Sequence, residues 1–390
     1  MRGYSLILLG FYVVAIVVWV GLSDGLVDRN GKPIGTDFSN VYAAGELAWQ
    51  GRPADAYHPP SQHAAEKAVF GRDVPFYGWH YPPFFLGIAF LVAGLPYACG
   101  LALWLALSFA AYLATIRAIL PRPETWLVAT AFPAVFVNVG HGQNGFLTTA
   151  LLGGALHLLT KRPWLAGILV GLLAYKPQFG ILVPITLVAG GYWRTIAAAG
   201  LTVLSLIALS TLALGIAIWH AFAASTTFTQ TVVLEAGGTG WEKIQSIFSA
   251  VRMWGGSVPL AYAAQTILAT ALAATLAWLW HSDAAYELKA AALAVACLLA
   301  TPYVLDYDLV VAGLAIAFLA RLGLISGFRG FELSLLSAAW LAPLLTRIAA
   351  KSIAIPVGLL VLQVLYVAIL WRARSDRADV TISAGTIANL

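Results

Sequence analysis

Apolar runs separated by short polar connectors make up most of this chain. Tyr4–Leu22, Thr195–Ile218, Leu260–Trp280 and Ile353–Trp371 are the clearest, and each approaches the roughly 20 residues that a helix needs to cross the hydrocarbon core. The pattern predicts an all-α protein, a polytopic transmembrane bundle with about 12 spans, forming one integral membrane domain over residues 1–390. Pro82–Leu95 is too short for a full span. We read it as re-entrant or partial, since a full crossing there would put the basic connector Arg117–Arg122 on the wrong side. No repeat of fixed period interrupts the pattern, and no soluble domain of ordinary size is present.

Two longer polar segments stand out. Residues 23–80 hold seven acidic residues, among them Asp37 and Glu66. Within them the spacing of Val41, Leu47, Ala48 and Trp49 predicts an amphipathic helix lying at the membrane interface over Phe38–Gln50. Pro59–Phe70 is a second such candidate. Residues 225–256 form the other long loop. The remaining connectors are of two kinds. Arg117–Glu124, Thr160–Pro163, Gly191–Arg194, the Lys289 region, Arg321–Arg329 and the tail with Arg372, Arg374 and Arg377 are basic. His141–Asn144, Tyr175–Gln178 and Thr301–Asp308 carry motifs instead, and the two kinds largely alternate. The bias of Lys and Arg toward cytoplasmic loops then puts the basic set and both termini inside, and the motifs outside.

Composition strengthens this reading. The chain is 61% hydrophobic and 10% charged, whereas soluble domains carry about 25% charged residues. The net charge of +5 comes from residues scattered at the ends of apolar runs, so it marks no nucleic-acid surface. Cys99 and Cys297 lie in apolar stretches and read as small buried hydrophobes. The first apolar run is longer than a signal peptide's core of about 7–15 residues, so it reads as the first transmembrane helix. No phosphate-binding loop, zinc spacing, hydrolase elbow or dinucleotide fingerprint occurs. No cofactor is expected, and no metal, since the first loop lacks an Asp-x-Asp pair.

Ionisable residues at membrane depth are costly and default to functional hypotheses. Here they cluster at the outer helix ends. Thr36 or Asp37 would N-cap the helix that begins near Phe38, and Asp37, beside Tyr42, is also a candidate general base whose proton affinity is tuned by partial burial; the two roles are compatible. Gly78 to Phe84 contains two prolines that fix an extended backbone. Trp79 fits an aromatic anchor there, while His80 and Tyr81 offer hydrogen bonds to a sugar or a phosphate. In Gly140–Gly145, three glycines permit close backbone approach, and His141, Gln143 and Asn144 supply the mixed donors and acceptors that suit a polyhydroxylated ligand. Lys176, at a proline-broken interruption with Gln178, is a better phosphate partner than a snorkelling surface lysine. Asp306 and Asp308 cannot face the same way on a helix, so one should line a cavity and the other cap or face a loop. Lys243 and Arg252 are basic residues on the side where few are expected, which makes them candidates for an anionic headgroup; Gln245 lies between them.

With no domain to bind a nucleotide sugar, a transferase of this design needs a donor dissolved in the membrane. Asp37-Phe38 with Tyr42, Tyr81-Pro82-Pro83, Gly142-Gln143-Asn144, Lys176-Pro177, Gln245-Ser246 and the stretch from Pro302 to Asp308, in this order, resemble glycosyltransferase family 87. The family comprises bacterial polyprenyl-phosphate-mannose-dependent alpha-mannosyltransferases of the GT-C superfamily. The resemblance implies an inverting transfer to a hydroxyl of a lipid or glycan acceptor at the outer face of the inner membrane, with Asp37 as base. It implies that Lys176, Arg252 and His80 serve the donor phosphate. Tyr42, Tyr81, His141, Gln143, Asn144, Gln178, Gln245, Asp306 and Asp308 would hold sugar or acceptor. The chain lacks the histidine of the family's Ser-Pro-x-x-Trp-Asp-His motif, which leaves His80 or His141 to substitute. The competing class is a lipid or solute transporter or flippase; against it, no inverted repeat is present.

Overall fold

The computed structural model describes residues 2–388, with side chains to residue 376; Arg377 therefore lies outside the described side chains. The described chain is helical throughout: α1 (Arg2–Gly21), α2 (Phe38–Trp49), α3 (Pro59–Phe70), α4 (Leu86–Ala93), α5 (Tyr97–Ile119), α6 (Glu124–Thr130), α7 (Pro133–His141), α8 (Gly145–Leu158), α9 (Pro163–Leu172), α10 (Pro177–Gly180), α11 (Val183–Ala189), α12 (Trp193–Leu214), α13 (Ala217–Phe228), α14 (Ile247–Met253), α15 (Val258–His281), α16 (Tyr286–Ala300), α17 (Ala312–Ser326), α18 (Glu332–Ile353) and α19 (Val357–Ala388). Seven helical segments are long and apolar enough to cross a membrane. Shorter apolar helices such as Pro83–Ala93 fall below crossing length, as expected of a partial element.

Burial sorts the helices into layers. α16 is covered almost completely from Leu288 to Ala300, and α17 is nearly as enclosed. By contrast α1 buries only Ser5 and Tyr12 and exposes Tyr4, Ile7, Phe11 and Val17. Helices with all their backbone groups satisfied internally and apolar side chains facing out are built for lipid. Between layers, small residues permit close approach. A Cβ at Gly167 would sit 2.4 Å from the Thr195 carbonyl oxygen, and one at Gly171 2.5 Å from Thr202 Cβ. Here α9 meets α12 through a small-xxx-small stripe.

The basic connectors meet on one face. Arg2 pairs with Glu124, Arg321 Nε lies 3.4 Å from Glu287, Arg329 pairs with Asp376, and the Arg374 guanidinium stands over Trp278.

Several expectations need correction. Protein, not water, covers α2: nine residues, from Phe38 to Gly45 together with Leu47, are buried. The reason is Gly45, which lets α4 lie against it; a Cβ there would come within 2.1 Å of the Ala89 carbonyl oxygen. Trp79 is 3% exposed and packs among Tyr81 and Phe85 rather than anchoring at a surface. Cys297 is buried, but Cys99 is exposed, because it lies on an outward side of α5.

Candidate active site

The site is assembled at the helix ends opposite the basic face. α7 ends at His141 because Gly142 adopts a left-handed conformation, φ +62°. A side chain at Gly142 would strike Phe38 Cβ at 2.7 Å. Only glycine allows this turn to touch the start of α2. The contact is sealed by the Asp37 N–H donating to the His141 carbonyl at 2.9 Å.

Asp37 occupies the N-cap position of α2 without capping it. Its carboxylate turns toward the glycine-rich turn instead. Gln143 Nε2 donates to Asp37 Oδ2 at 3.1 Å, and His141 Nδ1 lies 3.9 Å from the same oxygen. The side chain keeps 18% of its exposure, so a ligand can reach it. Oδ1 has no hydrogen-bond partner among the described residues.

A second branch runs inward from the same turn. Asn144 Nδ2 donates to the Tyr81 hydroxyl at 2.8 Å, and the Asn144 N–H donates to Gln143 Oε1 at 2.9 Å. Tyr175 donates to the Asn144 carbonyl and shares a 2.6 Å hydrogen bond with Thr148. Buried Asn138 holds the turn in shape, donating to the Gln143 carbonyl and accepting from the Gly145 N–H, both at 2.9 Å. Asn144 Oδ1 is buried with no partner, an acceptor left over beside the network.

The carboxylates at 306 and 308 lie on a single 3-10 turn (Asp306–Val311). Both are buried and both are ion-paired; Asp308 also caps the turn, accepting from the Leu305 N–H, the capping alternative of the sequence reading. The tighter winding of the turn sends them to different cations. Asp308 takes Lys176 Nζ at 2.8 Å and also accepts from the Leu305 N–H. Asp306 takes Arg347 Nε at 2.6 Å. Arg347 then reaches His141 Nε2 at 3.2 Å. Arginine can only donate, so Nε2 accepts, and the ring proton sits on Nδ1, facing Thr36 Oγ1 at 2.7 Å. An unbroken chain thus runs from Asp306 through Arg347 and His141 to Thr36 at the start of α2.

Other predicted residues lie elsewhere or are occupied. His80 Nδ1 is bonded to Thr229 Oγ1 at 2.7 Å, and burial pushes its pKa down to about 4. Tyr42 donates to the Leu95 carbonyl at 2.8 Å. Arg252 donates to the carbonyls of Gly256 and Glu235 and stacks on Trp241. Gln245 ties its loop to the site, its N–H donating to Val304 O at 2.7 Å. Gln178 has no hydrogen-bond partner among the described residues. Arg347 and Asn138 were missed as site residues, and Thr36 enters the sequence reading only as an alternative N-cap. Arg347 carried a signal, being a charge within the apolar run of α18; Asn138 carried none.

The fold is therefore that of a polytopic helical bundle with one polar network gathered at its helix ends. The family model of glycosyltransferase family 87 matches residues 79–302, more than half of the chain, and the chain belongs to that family. It is accordingly a glycosyltransferase, which removes the transporter alternative. No curated protein and no solved structure matches it. The matched region includes Tyr81, His141, Gln143, Asn144 and Lys176, whereas Asp37, Asp306 and Arg347 lie outside it and join the site through the contacts above.

Proposed function

We propose that this glycosyltransferase moves a sugar, mannose, from a polyprenyl-phosphate donor to a hydroxyl acceptor at the outer face of a bacterial inner membrane, with inversion. The observation that carries the reading is the setting of Asp37. One carboxylate oxygen is oriented by Gln143, the other is unengaged, and the group is partly exposed beside polar side chains. Such a carboxylate has the geometry of a general base.

In the proposed step, Asp37 Oδ1 takes the proton of the acceptor hydroxyl. The acceptor oxygen forms its bond to the anomeric carbon as the bond from that carbon to the phosphate oxygen breaks. The electron pair departs with the lipid phosphate. Gln143, Asn144 and Tyr81 offer hydrogen bonds to sugar hydroxyls, and Gln178 and Gln245 extend this polar lining. Lys176, paired with Asp308, braces Tyr307 from behind, its ammonium 5.4 Å from that ring. The Arg347–His141–Thr36 chain holds the imidazole neutral and orients the start of α2. The basic face would lie in the cytoplasm, with both termini, in keeping with the positive-inside tendency.

The test is transfer of label from polyprenyl-phosphate-mannose to extracted membrane lipids by the purified protein in lipid, with Asp37→Asn in parallel. A labelled product made only by the unmutated protein supports the reading. Full activity in Asp37→Asn refutes the assigned base.

A further inference from the structure

We propose that Lys243 and Arg347 together form the seat for the phosphate of a prenyl-phosphate donor; this deepens the transferase reading and rests on it. Of the cations near the site, Lys176 is neutralised by Asp308 and Arg252 is bound to two carbonyls. Lys243 and Arg347 remain with capacity to bind an anion, and the charge of Lys32 is felt beside them.

The first contact that brings them together is local. Ile244 and Leu305 form an antiparallel bridge, and the Gln245 N–H donates to Val304 O. Antiparallel pairing sets the residue before Ile244 opposite the residue after Leu305, so Lys243 stands across from Asp306. Asp306 in turn holds Arg347 through Nε and Nη2, each at 2.6 Å. The turn Trp241–Lys243 packs directly on α18, which carries Arg347.

Their charge state is the second observation. Lys243 is half-buried, and its ammonium has no hydrogen bond or ion pair among the described residues. Arg347 keeps 38% of its side-chain exposure while serving Asp306 and His141, and its Nη1 is uncommitted among the described residues. Asp306 is engaged by Arg347, so the half-buried Lys243 ammonium beside that pair has no anion of its own, an arrangement that an added anion relieves. Burial and the charges of Arg347 and Lys32 pull the Lys243 pKa down, while Glu242 and Asp37 pull it back up. Both Arg347 and Asp37 are therefore close enough to be felt. A phosphate seated there departs beside the base that activates the acceptor, and the paired cations stabilise the charge it gains as the glycosidic bond breaks. A guanidinium matches phosphate oxygens in pairs, and an ammonium adds a point charge.

Farnesyl phosphate, farnesol and inorganic phosphate are the probes for a binding measurement on the full chain in lipid nanodiscs. Farnesyl phosphate should bind the unmutated protein and Asp37→Asn alike, with farnesol failing to compete. Lys243→Gln and Arg347→Gln should each weaken it about tenfold or more, the loss expected for one charge-assisted contact, and Lys243→Arg should restore it. Lys243 makes no ion pair, so its glutamine variant should keep the melting temperature of the parent. Unchanged affinity in a folded Lys243→Gln overturns the seat and leaves the transferase reading standing. Affinity lost in Lys243→Gln, with no transfer from any polyprenyl-phosphate sugar, supports the seat and overturns the donor reading. Inorganic phosphate binding as tightly as farnesyl phosphate supports an anion seat and overturns its assignment to a lipid. No phosphate binding at all overturns the inference.

Discussion

Two carboxylates on one turn, two residues apart, are put to opposite uses. Asp308 and Lys176 close on each other with side chains 2% and 6% exposed. Asp306 is as deeply covered, at 4%, but its partner Arg347 is 38% exposed and passes its contact on to His141. The first pair is a sealed neutral unit that pins the α9–α10 break against the turn. The second is open at its cationic end. Identical chemistry becomes structural or functional according to whether water and ligand can reach the cation.

The comparison can be broken from the functional end first. Asp37→Asn should lower transfer by about 10²–10⁴-fold, the usual worth of a general base, with donor binding intact; paired turnover and binding measurements check this. At the sealed end, Lys176→Met should destabilise by about 3–5 kcal/mol by stranding a buried Asp308. Lys176→Met with Asp308→Leu should recover most of that loss. Thermal unfolding in detergent reads both, and a stable Lys176→Met would show that the pair is not sealed. Smaller still is Gly45→Ala, where a Cβ must displace the α4 backbone. Overpacking of this kind costs about 1–3 kcal/mol, and the shift of α2 should carry Asp37 with it and lower turnover.

The most local expected effect is that of pH on the first loop. Burial raises the Glu66 pKa to about 9, opposed by the Tyr77 N–H and reinforced by Asp37. The folded loop thus holds a proton that the unfolded chain releases at ordinary carboxylate values. Its stability is fully present below the unfolded pKa and falls as pH rises from there toward 9. Amide exchange in α3 should quicken over that window, and Glu66→Gln should flatten the dependence. A pH-independent exchange rate in the unmutated protein would contradict the neutral carboxyl.

Local pattern carried much of this molecule. Apolar runs and their basic ends predicted a helical bundle with one basic face, because span length and charge bias are properties of contiguous sequence. Asp37, Tyr81, His141, Gln143, Asn144 and Lys176 were also legible, since polar groups in a lipid-facing chain are costly enough to signify. Partnership was not legible. Whether Asp37 caps a helix or meets Gln143 depends on a turn more than a hundred residues away. Arg252 and His80 look like ligands for an anion until their loops fold and hand them to carbonyls and a threonine. Arg347 joins the site only because α18 brings it beside Asp306 and His141. The sequence by itself determined which residues were too polar for lipid; tertiary packing alone decided which of them neutralise one another and which stay open, because ion pairs form between side chains close in space, whatever their separation along the chain.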